Sequence, residues 1–260
     1  MMRILVVNPN TTAQMTEAIR LTAMAAAGDQ ATIDALQPAN GPASIEGQFD
    51  EVVSAFWTLD AVLNVADSYD GIVIACYSAH PVIGALREAL CQPVIGIMEA
   101  SIIHALLLGH RFSIVTTSAR WQPLLQEGVR LLGFESRCAS IRSSGMAVLD
   151  LERLPPSQVR QRLVDEARMA VEHDGAEVIC LGCAGMTELQ NEIASALPVP
   201  VVDGVRAAIQ QLLGLGASSL TTSKTGLYQP IEIRQLSNLP AGIASTYATG
   251  GRRSPRRQPV

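Results

Sequence analysis

The stretch GIVIACYSAHPVIGALRE at residues 71–88 decides the fold, because an apolar β-branched run leads into a cysteine and then into a helical pattern. The stretch AEVICLGCAGMTELQ at residues 176–190 repeats this order. Short apolar runs followed by helices are typical of buried parallel strands, each connected to the next by a helix that crosses the sheet. The two stretches therefore predict two related α/β units.

Strands alternate with helical segments along the rest of the chain as well. The predicted strands cover residues 3–7, 31–36, 71–76, 93–97, 111–117, 134–143, 176–182 and 198–204. We therefore predict an α/β fold of two pseudo-symmetric lobes, each a parallel sheet flanked by helices, with the active site in the cleft between them. The first lobe takes residues 1–98 and 205–230, the second takes residues 99–204, and residues 231–260 form a C-terminal tail with a disordered end.

An internal repeat supports two lobes. A gap-free shift of 107 residues carries Cys76 onto Cys183, each of them after an apolar strand and before a helix. The same shift places Asn10 opposite Thr117, just beyond the strand that opens each lobe. We therefore expect the two halves to present corresponding residues to a shared cleft.

Composition narrows the class of protein. The chain has 260 residues, 48% of them hydrophobic, and no apolar run reaches the roughly 18 residues of a membrane span. A net charge of −5 argues against nucleic-acid binding, although the end of the chain is locally basic. The apolar run at the N-terminus is too short for a signal peptide. We predict a cytoplasmic enzyme with a small-molecule substrate and neither nucleic-acid nor membrane partners.

The five cysteines are an odd number, which favours reduced thiols over a disulfide framework. Cys76 and Cys183 follow strand ends, where parallel sheets bind ligands, and we expect the helices that follow to lower the pKa of both thiols. A redox or zinc pair of Cys180 with Cys183 is the weaker interpretation, because the histidines offer no ligands at usable spacing. The cysteines predicted to be structural are Cys91, Cys138 and Cys180.

Two thiols that face each other across a cleft suit one reaction especially well. One thiolate removes a proton from a carbon acid, and the opposite thiol returns a proton to the other face, which is racemisation. Backbone N–H groups after each cysteine can stabilise the carbanion. The chain contains neither GxGxxG nor GxxxxGK, and no lysine in a pyridoxal-like context. We therefore predict a reaction without cofactor or metal.

The loops around the two cysteines supply the predicted substrate-binding residues. For Asn10 and Thr117 the alternative role is helix capping, and His80 is equally compatible with a helix surface. The predicted set is Asn8, Asn10, Tyr77, Ser78, His80, Thr116, Thr117, Gly182, Ala184 and Gly185.

Several segments carry a family resemblance. They are RILVVNPNTTAQMTEAI at 3–19, ACYSAHPVIGALRE at 75–88, SIVTTSARW at 113–121, LGCAGMTEL at 181–189 and PVPVVDGV at 198–205. Together they resemble the aspartate/glutamate/hydantoin racemase superfamily, and within it the hydantoin and allantoin racemase branch. The resemblance implies a two-base mechanism with Cys76 and Cys183 on opposite faces of the substrate, and a homo-oligomer.

One departure from that branch concerns the substrate. Hydantoin racemases usually carry a CFGDPG-like stretch after the first cysteine, whereas this chain has CYSAHP at 76–81. We predict a racemase of a hydantoin-like cyclic ureide, a 5-substituted hydantoin or allantoin, with an altered preference for the ring or its substituent. The alternatives are an aspartate/glutamate-type racemase, with Arg120 or Arg142 as the nearest cation for a carboxylate, and a maleate-isomerase-like or decarboxylase-like enzyme acting on a small dicarboxylate. The non-enzymatic alternative is a small-molecule binding protein.

Overall fold

The computed structural model describes residues 1–234 and 238–251. The predicted disorder of the basic end concerns residues 252–260, which lie outside this part of the chain. None of the described helices combines the length and the apolar character that crossing a membrane requires.

The first half of the chain forms a four-stranded parallel sheet with helices between the strands. Its elements are β1 (Met2–Val7), α1 (Ala13–Ala27), β2 (Ala31–Leu36), α2 (Gln48–Leu63), β3 (Gly71–Ile74), α3 (Pro81–Ala89) and β4 (Val94–Gly96). The strand order is β2-β1-β3-β4. The central strands β1 and β3 are apolar and buried, as expected for strands covered on both faces.

The second half repeats this arrangement. Its elements are α4 (Ile97–Leu108), β5 (Phe112–Thr116), α5 (Trp121–Leu131), β6 (Cys138–Ser143), α6 (Asp150–Arg153), α7 (Pro156–Glu172), β7 (Val178–Leu181), α8 (Gln190–Ser195) and β8 (Val201–Val202). The parallel order β6-β5-β7-β8 matches that of the first sheet, strand for strand. The predicted α/β fold of two similar parallel sheets flanked by helices is confirmed.

The two sheets share one apolar core. Ile4 of β1 and Ile114 of β5 belong to the same cluster of buried side chains. Helix α9 (Gly204–Ala217) returns from the second sheet and packs against both α1 and α4. The predicted limits of the lobes, at residues 98, 204 and 230, stay a prediction.

Strand pairing shows that a single shift of 107 residues does not relate all strands of the two sheets. In the first sheet Ile4 pairs with Gly71, and in the second Phe112 pairs with Val178. A shift of 107 therefore relates β3 to β7, but a shift of 108 relates β1 to β5. The chain between the paired strands is one residue shorter in the second lobe, and strand register follows pairing and not sequence distance.

The corrected register changes which loop residues correspond. The residue after β1, Asn8, corresponds to Thr116, and Asn10 corresponds to Ser118. The expected correspondence of Asn10 with Thr117 is therefore wrong by one residue. The two lobes thus offer different side chains at matched positions.

The segment after α9 follows the first lobe. The Lys224 ammonium donates to the carbonyl of Arg87, and helix α10 (Ala241–Thr249) packs against α2. The Gly242 N–H donates to the Asp60 carboxylate at 2.8 Å, and a Cβ at Gly242 would lie 2.7 Å from the Asp60 carbonyl oxygen. A glycine thus allows this close approach, in a helix that the sequence did not predict.

Candidate active site

Cys76 and Cys183 occupy corresponding positions at the carboxyl ends of the two sheets. The Ala75 N–H donates to the carbonyl of Val7 at 2.8 Å, and the Gly182 N–H donates to the carbonyl of Val115 at 2.8 Å. Each cysteine is therefore the residue that follows the last ladder hydrogen bond of its strand. Both side chains line one cleft, together with residues from loops that follow strands of both sheets.

This cleft has a volume of about 390 Å³, including its open mouth. Besides the cysteines, six predicted site residues line it, namely Asn8, Asn10, Tyr77, Thr117, Gly182 and Ala184. The other four predicted residues, Ser78, His80, Thr116 and Gly185, are not among the residues that line it.

Cys76 is 9% exposed, and burial raises the pKa of its thiol well above the ordinary value. The Glu51 carboxylate and the Cys183 sulfur raise it further. The Ser78 hydroxyl opposes this, since its Oγ lies 3.6 Å from Sγ and can donate to a thiolate. Ser78 thus contacts the sulfur of Cys76, although it is not among the residues that line the cleft.

Cys183 has a different environment. Burial raises the pKa of its thiol to about 11, and the carboxylates of Glu46 and Glu152 add to the increase. The Gly185 N–H favours the thiolate by hydrogen bonding to it. The group that favours the thiolate is therefore a side-chain hydroxyl at Cys76 and a backbone N–H at Cys183.

The expectation that helix N-termini lower the pKa of both thiols is wrong. Helix α3 begins at Pro81 with His80 as its N-cap, so Cys76 lies in the turn before it. Cys183 precedes a short 3₁₀ helix, Ala184–Leu189, and not an α-helix. Burial dominates at both positions, because desolvation disfavours the charged form of a thiol.

The asparagines after β1 hold each other in place. Asn8 Nδ2 donates to Asn10 Oδ1 at 2.8 Å and to Thr16 Oγ1 at 3.0 Å. Asn10 Oδ1 also accepts from the Thr12 N–H at 2.9 Å, close to the start of α1. Within the described part of the chain, the side-chain Nδ2 of Asn10 donates only to the weak acceptor Met15 Sδ, at 3.3 Å. Asn10 therefore combines a local structural role with a donor that faces the cleft.

The two threonines after β5 have distinct roles. Thr116 Oγ1 donates to the carbonyl of Gly182 at 3.1 Å and so ties β5 to the end of β7. Thr117 lines the cleft, and its buried Oγ1 has no hydrogen-bond partner within the described part of the chain. Buried hydroxyls are normally paired, so Thr117 is a candidate to bind a ligand. At Gly182 a Cβ would lie 2.9 Å from the Val115 carbonyl oxygen, which explains the glycine.

His80 belongs to the supporting structure behind the cleft. Its Nδ1 accepts from the Val82 N–H at 3.3 Å, so its proton is on Nε2, which lies 3.3 Å from Ser54 Oγ. Ser54 in turn donates to the carbonyl of Pro9 at 2.7 Å. Burial lowers the pKa of His80 to about 4. A neutral histidine therefore links the loop after β3 to the loop after β1.

The walls of the cleft are mostly apolar, and the sequence had not identified them. They are Pro9, Met15, Ile45, Ala75, Trp121 and Val148. Met15 and Trp121 lie in the first turns of α1 and α5, so the strand–loop–helix pattern could have indicated them. Ile45 and Val148 lie in loops without a periodic pattern. A Glu46 carboxylate that accepts from the Val148 N–H at 3.1 Å joins these two loops across the lobes.

The described residues that line the cleft include no lysine or arginine. Arg142 instead pairs with Asp174 and Glu166, and the Arg120 guanidinium packs against Gly47. Neither arginine that sequence singled out thus reaches the cleft. The cleft is polar at a few points but uncharged apart from the thiols.

Cys180 and Cys183 do not form a metal or redox pair of the kind considered above. Cys180 is fully buried within β7, with Sγ 3.8 Å from the Ser101 carbonyl oxygen, while Cys183 faces the cleft. Within residues 1–234 and 238–251, no group of three or more histidine, cysteine or acidic side chains could hold a metal ion.

Tyr77 contributes its ring to the lining of the cleft. Its hydroxyl hydrogen-bonds with Ser101 Oγ at 2.8 Å.

Comparisons with known proteins agree with this arrangement. Residues 4–212 match the family model described as Asp/Glu/Hydantoin racemase. A hydantoin racemase from Pseudomonas sp. strain NS671 is 40% identical over 232 residues, which are 88% of this chain and 91% of that protein. The solved allantoin racemase from Pseudomonas fluorescens is 40% identical, with a TM-score of 0.88 over 91% of this chain and 100% of its own. The allantoin racemase from Klebsiella pneumoniae is 37% identical, with a TM-score of 0.88 over 92% of this chain and 97% of its own. The chain belongs to the Asp/Glu/hydantoin racemase family.

Proposed function

We propose that the protein racemises a hydantoin-like cyclic ureide, a 5-substituted hydantoin or allantoin, with Cys76 and Cys183 as the two acid/base groups. One observation carries the proposal: corresponding strands of the two lobes deliver one thiol each to the same small cleft. The identity of 37–40% to proteins named hydantoin racemase and allantoin racemase supports the substrate class.

The proposed reaction moves two protons and leaves no covalent bond to the enzyme. The thiolate of one cysteine takes the proton from Cα, and the electron pair of the C–H bond is delocalised into the adjacent ring carbonyl. The thiol of the other cysteine then gives its proton to the opposite face of Cα. The product is the mirror-image centre, and the two cysteines have exchanged protonation states.

Asn10 and Thr117 are the proposed hydrogen-bonding partners of the ring. The Asn10 amide nitrogen can donate to a ring carbonyl, and the Thr117 hydroxyl can donate to a carbonyl or accept from a ring N–H. Such donors stabilise the negative charge that develops on the carbonyl oxygen. Of the remaining predicted residues, Asn8, Gly182 and Ala184 shape the cleft, and Tyr77 contributes its ring.

The charge of the cleft separates the leading proposal from its alternatives. An amino acid or a dicarboxylate carries a carboxylate, and burying it without a cationic partner is costly. The described cleft lining offers no such partner, whereas a cyclic ureide is neutral and needs only hydrogen bonds. The geometry thus favours the ring over aspartate, glutamate or maleate. The acidity of the ring Cα–H also makes the reaction feasible without a cofactor.

Racemisation is tested by incubating separate D- and L-enantiomers of a 5-substituted hydantoin and of allantoin with the protein in D₂O. We expect loss of circular dichroism and deuterium at Cα, and NMR must show an unchanged constitution. Cys91→Ser, a cysteine outside the cleft, serves as the matched control and should behave as the parent does. An absence of decay and exchange with all these rings, together with conversion of maleate or an amino acid, would contradict the proposal.

We also propose a homo-oligomer and a cytoplasmic location. Apolar side chains on the surface are compatible with self-association, since Phe49 of α2 and Leu107 of α4 are 79% and 81% exposed. The five cysteines carry free thiols, which suits a reducing compartment. Light scattering coupled to size-exclusion chromatography measures the assembly directly.

A further inference from the structure

Two loops from different lobes are joined by a hydrogen bond beside the cleft. One loop connects β2 to α2 and contains Ile45 and Glu46, and the other connects β6 to α6 and contains Val148. The Glu46 carboxylate accepts from the Val148 N–H at 3.1 Å. Ile45 and Val148 are 4% and 5% exposed, both line the cleft, and both belong to one cluster of buried side chains. The bond therefore connects two apolar parts of the cleft lining.

The same loops are also held against the helices that follow them. The Glu46 N–H donates to the Asp50 carboxylate at 2.9 Å, and the Ala147 N–H donates to the Asp150 carboxylate at 2.9 Å. The Ser44 hydroxyl donates to Glu46 Oε1 at 3.1 Å, and this is the oxygen that accepts from the second lobe. The backbone and the side chain of Glu46 are thereby both fixed in the orientation that bridges the lobes.

The bridging bond is of a strong kind. A hydrogen bond to a carboxylate is stronger than one between neutral groups, and removing the acceptor leaves the N–H of the buried Val148 unsatisfied. The loop also touches the second lobe at Gly47, where a Cβ would lie 3.0 Å from Arg120 Nε. Loops are more mobile than the strands and helices they connect, so the positions of Ile45 and Val148 depend on such contacts.

We propose that Glu46 is a positioning residue that holds Ile45 and Val148 together as one apolar wall, and that this wall binds the substituent at C5 of the ring. The inference rests on the proposed racemisation. The ring N–H and carbonyl groups need polar partners, for which Asn10 and Thr117 are proposed. An alkyl or aryl substituent needs no hydrogen bond, and burial against apolar side chains stabilises it. Glu46 itself does not line the cleft and acts through the two loops.

A comparison of two substituents gives the test. Glu46→Ala should lower kcat/KM for 5-isobutylhydantoin about tenfold, mainly through KM, because the branched substituent loses its contact with the wall. The value for 5-methylhydantoin should change less than about twofold, since a methyl group makes little such contact. Ile45→Ala should lower the ratio of the two values in the same direction. Glu46→Gln keeps an oxygen that can accept from the Val148 N–H and should keep the ratio of the parent.

Glu152→Ala is the matched control. The carboxylates of Glu46 and Glu152 both raise the pKa of the Cys183 thiol, so either variant removes a charge that acts on this cysteine. Within the described part of the chain, Glu152 does not bridge the two loops. Its replacement should therefore leave the ratio of the two substrates unchanged. An unchanged ratio in Glu46→Ala, or an equal fall in Glu152→Ala, would overturn the proposal.

A second measurement tests the bond itself without a substrate. Hydrogen exchange of the Val148 N–H, measured by NMR relative to the Gly182 N–H, should be about tenfold faster in Glu46→Ala and unchanged in Glu46→Gln. Unchanged exchange in Glu46→Ala would contradict the positioning role, whatever the activity of the parent. Faster exchange in a protein that racemises no ring would instead refute the proposed function and leave the positioning of the wall supported.

Discussion

The two halves of the cleft share a backbone plan and differ in what stands behind each sulfur. The Ser78 hydroxyl, with Oγ 3.6 Å from Sγ, lowers the pKa of the Cys76 thiol, whereas the N–H of Gly185 lowers the pKa of the Cys183 thiol. Strand topology thus accounts for the position of both thiols, since each follows the third strand of its sheet. Burial raises the pKa of both thiols, and the loops, which differ between the lobes, supply different groups that oppose this increase.

The largest expected effect tests whether the two thiols are equally required. Cys76→Ser and Cys183→Ser should each lower kcat for racemisation about a thousandfold, because each removes one of two acid/base groups. Polarimetry of each variant from both enantiomers measures this loss. A variant that keeps more than a tenth of the parent activity in either direction would remove that cysteine from the mechanism.

The second-largest expected effect is on the pH dependence of stability. It comes from His80, a buried neutral histidine of the first lobe, whose counterpart 107 residues later is Thr187. The pKa of His80 is lowered from 6.5 to about 4 in the folded protein. The unfolded chain therefore binds a proton between these values while the folded protein does not, so stability is complete above pH 6.5 and falls as the pH falls toward 4. The expected loss is about 3 kcal/mol.

Urea unfolding between pH 7 and pH 4.5 measures this dependence. His80→Asn keeps an acceptor at the N-cap but does not titrate, so its stability should depend less steeply on pH. Equal pH dependence in parent and variant would show that His80 is not the titrating group.

A smaller effect comes from a residue that differs at matched positions, Ala75 in the first lobe and Gly182 in the second. A Cβ at Gly182 would lie 2.8 Å from Ile114 Cγ2 and 2.9 Å from the Val115 carbonyl oxygen. Gly182→Ala should therefore destabilise the protein by about 2 kcal/mol. Ala75→Gly should cost only about 0.5–1 kcal/mol, the ordinary penalty of a flexible residue. Thermal or urea unfolding compares the two, and similar costs would contradict the structural difference between the lobes.

The smallest effects separate the adjacent threonines. Thr116→Val removes a hydrogen bond to the carbonyl of Gly182 and should lower stability by about 1 kcal/mol. Thr117→Val removes a buried hydroxyl that lacks a partner within the described residues, so stability should be unchanged while kcat/KM falls about tenfold. Urea unfolding and racemisation kinetics of both variants test whether Thr116 is structural and Thr117 binds the substrate. A stability loss confined to Thr117→Val would reverse the assignment.

The strands and helices between them, and the positions of Cys76 and Cys183 after corresponding strands, could be predicted because both depend on local sequence pattern. Apolar runs that end in a cysteine indicated β3 and β7, and parallel topology then placed Cys76 and Cys183 at corresponding edges. Other features depend on tertiary contacts. The pKa of each thiol follows from burial, the register of β1 against β5 follows from loop length, and helix α10 has little amphipathic pattern of its own.

The candidate site was predicted in part for the same reason. Six of the ten predicted substrate-binding residues line the cleft, because they follow directly on strand ends. Ser78 and His80 follow Cys76 in sequence but do not line the cleft: Ser78 Oγ contacts the Cys76 sulfur, and His80 Nε2 contacts Ser54 Oγ. Ile45 and Val148 come from loops whose sequence has no distinguishing feature.

The central claim is that the two thiols act on opposite faces of one substrate. It is tested most directly by deuterium exchange of each separate enantiomer in D₂O with Cys76→Ser and with Cys183→Ser. Each variant should exchange Cα–H without inversion in one enantiomer only, and the two variants should select opposite enantiomers. Exchange of the same enantiomer by both variants, or of both enantiomers by one variant, would contradict the account.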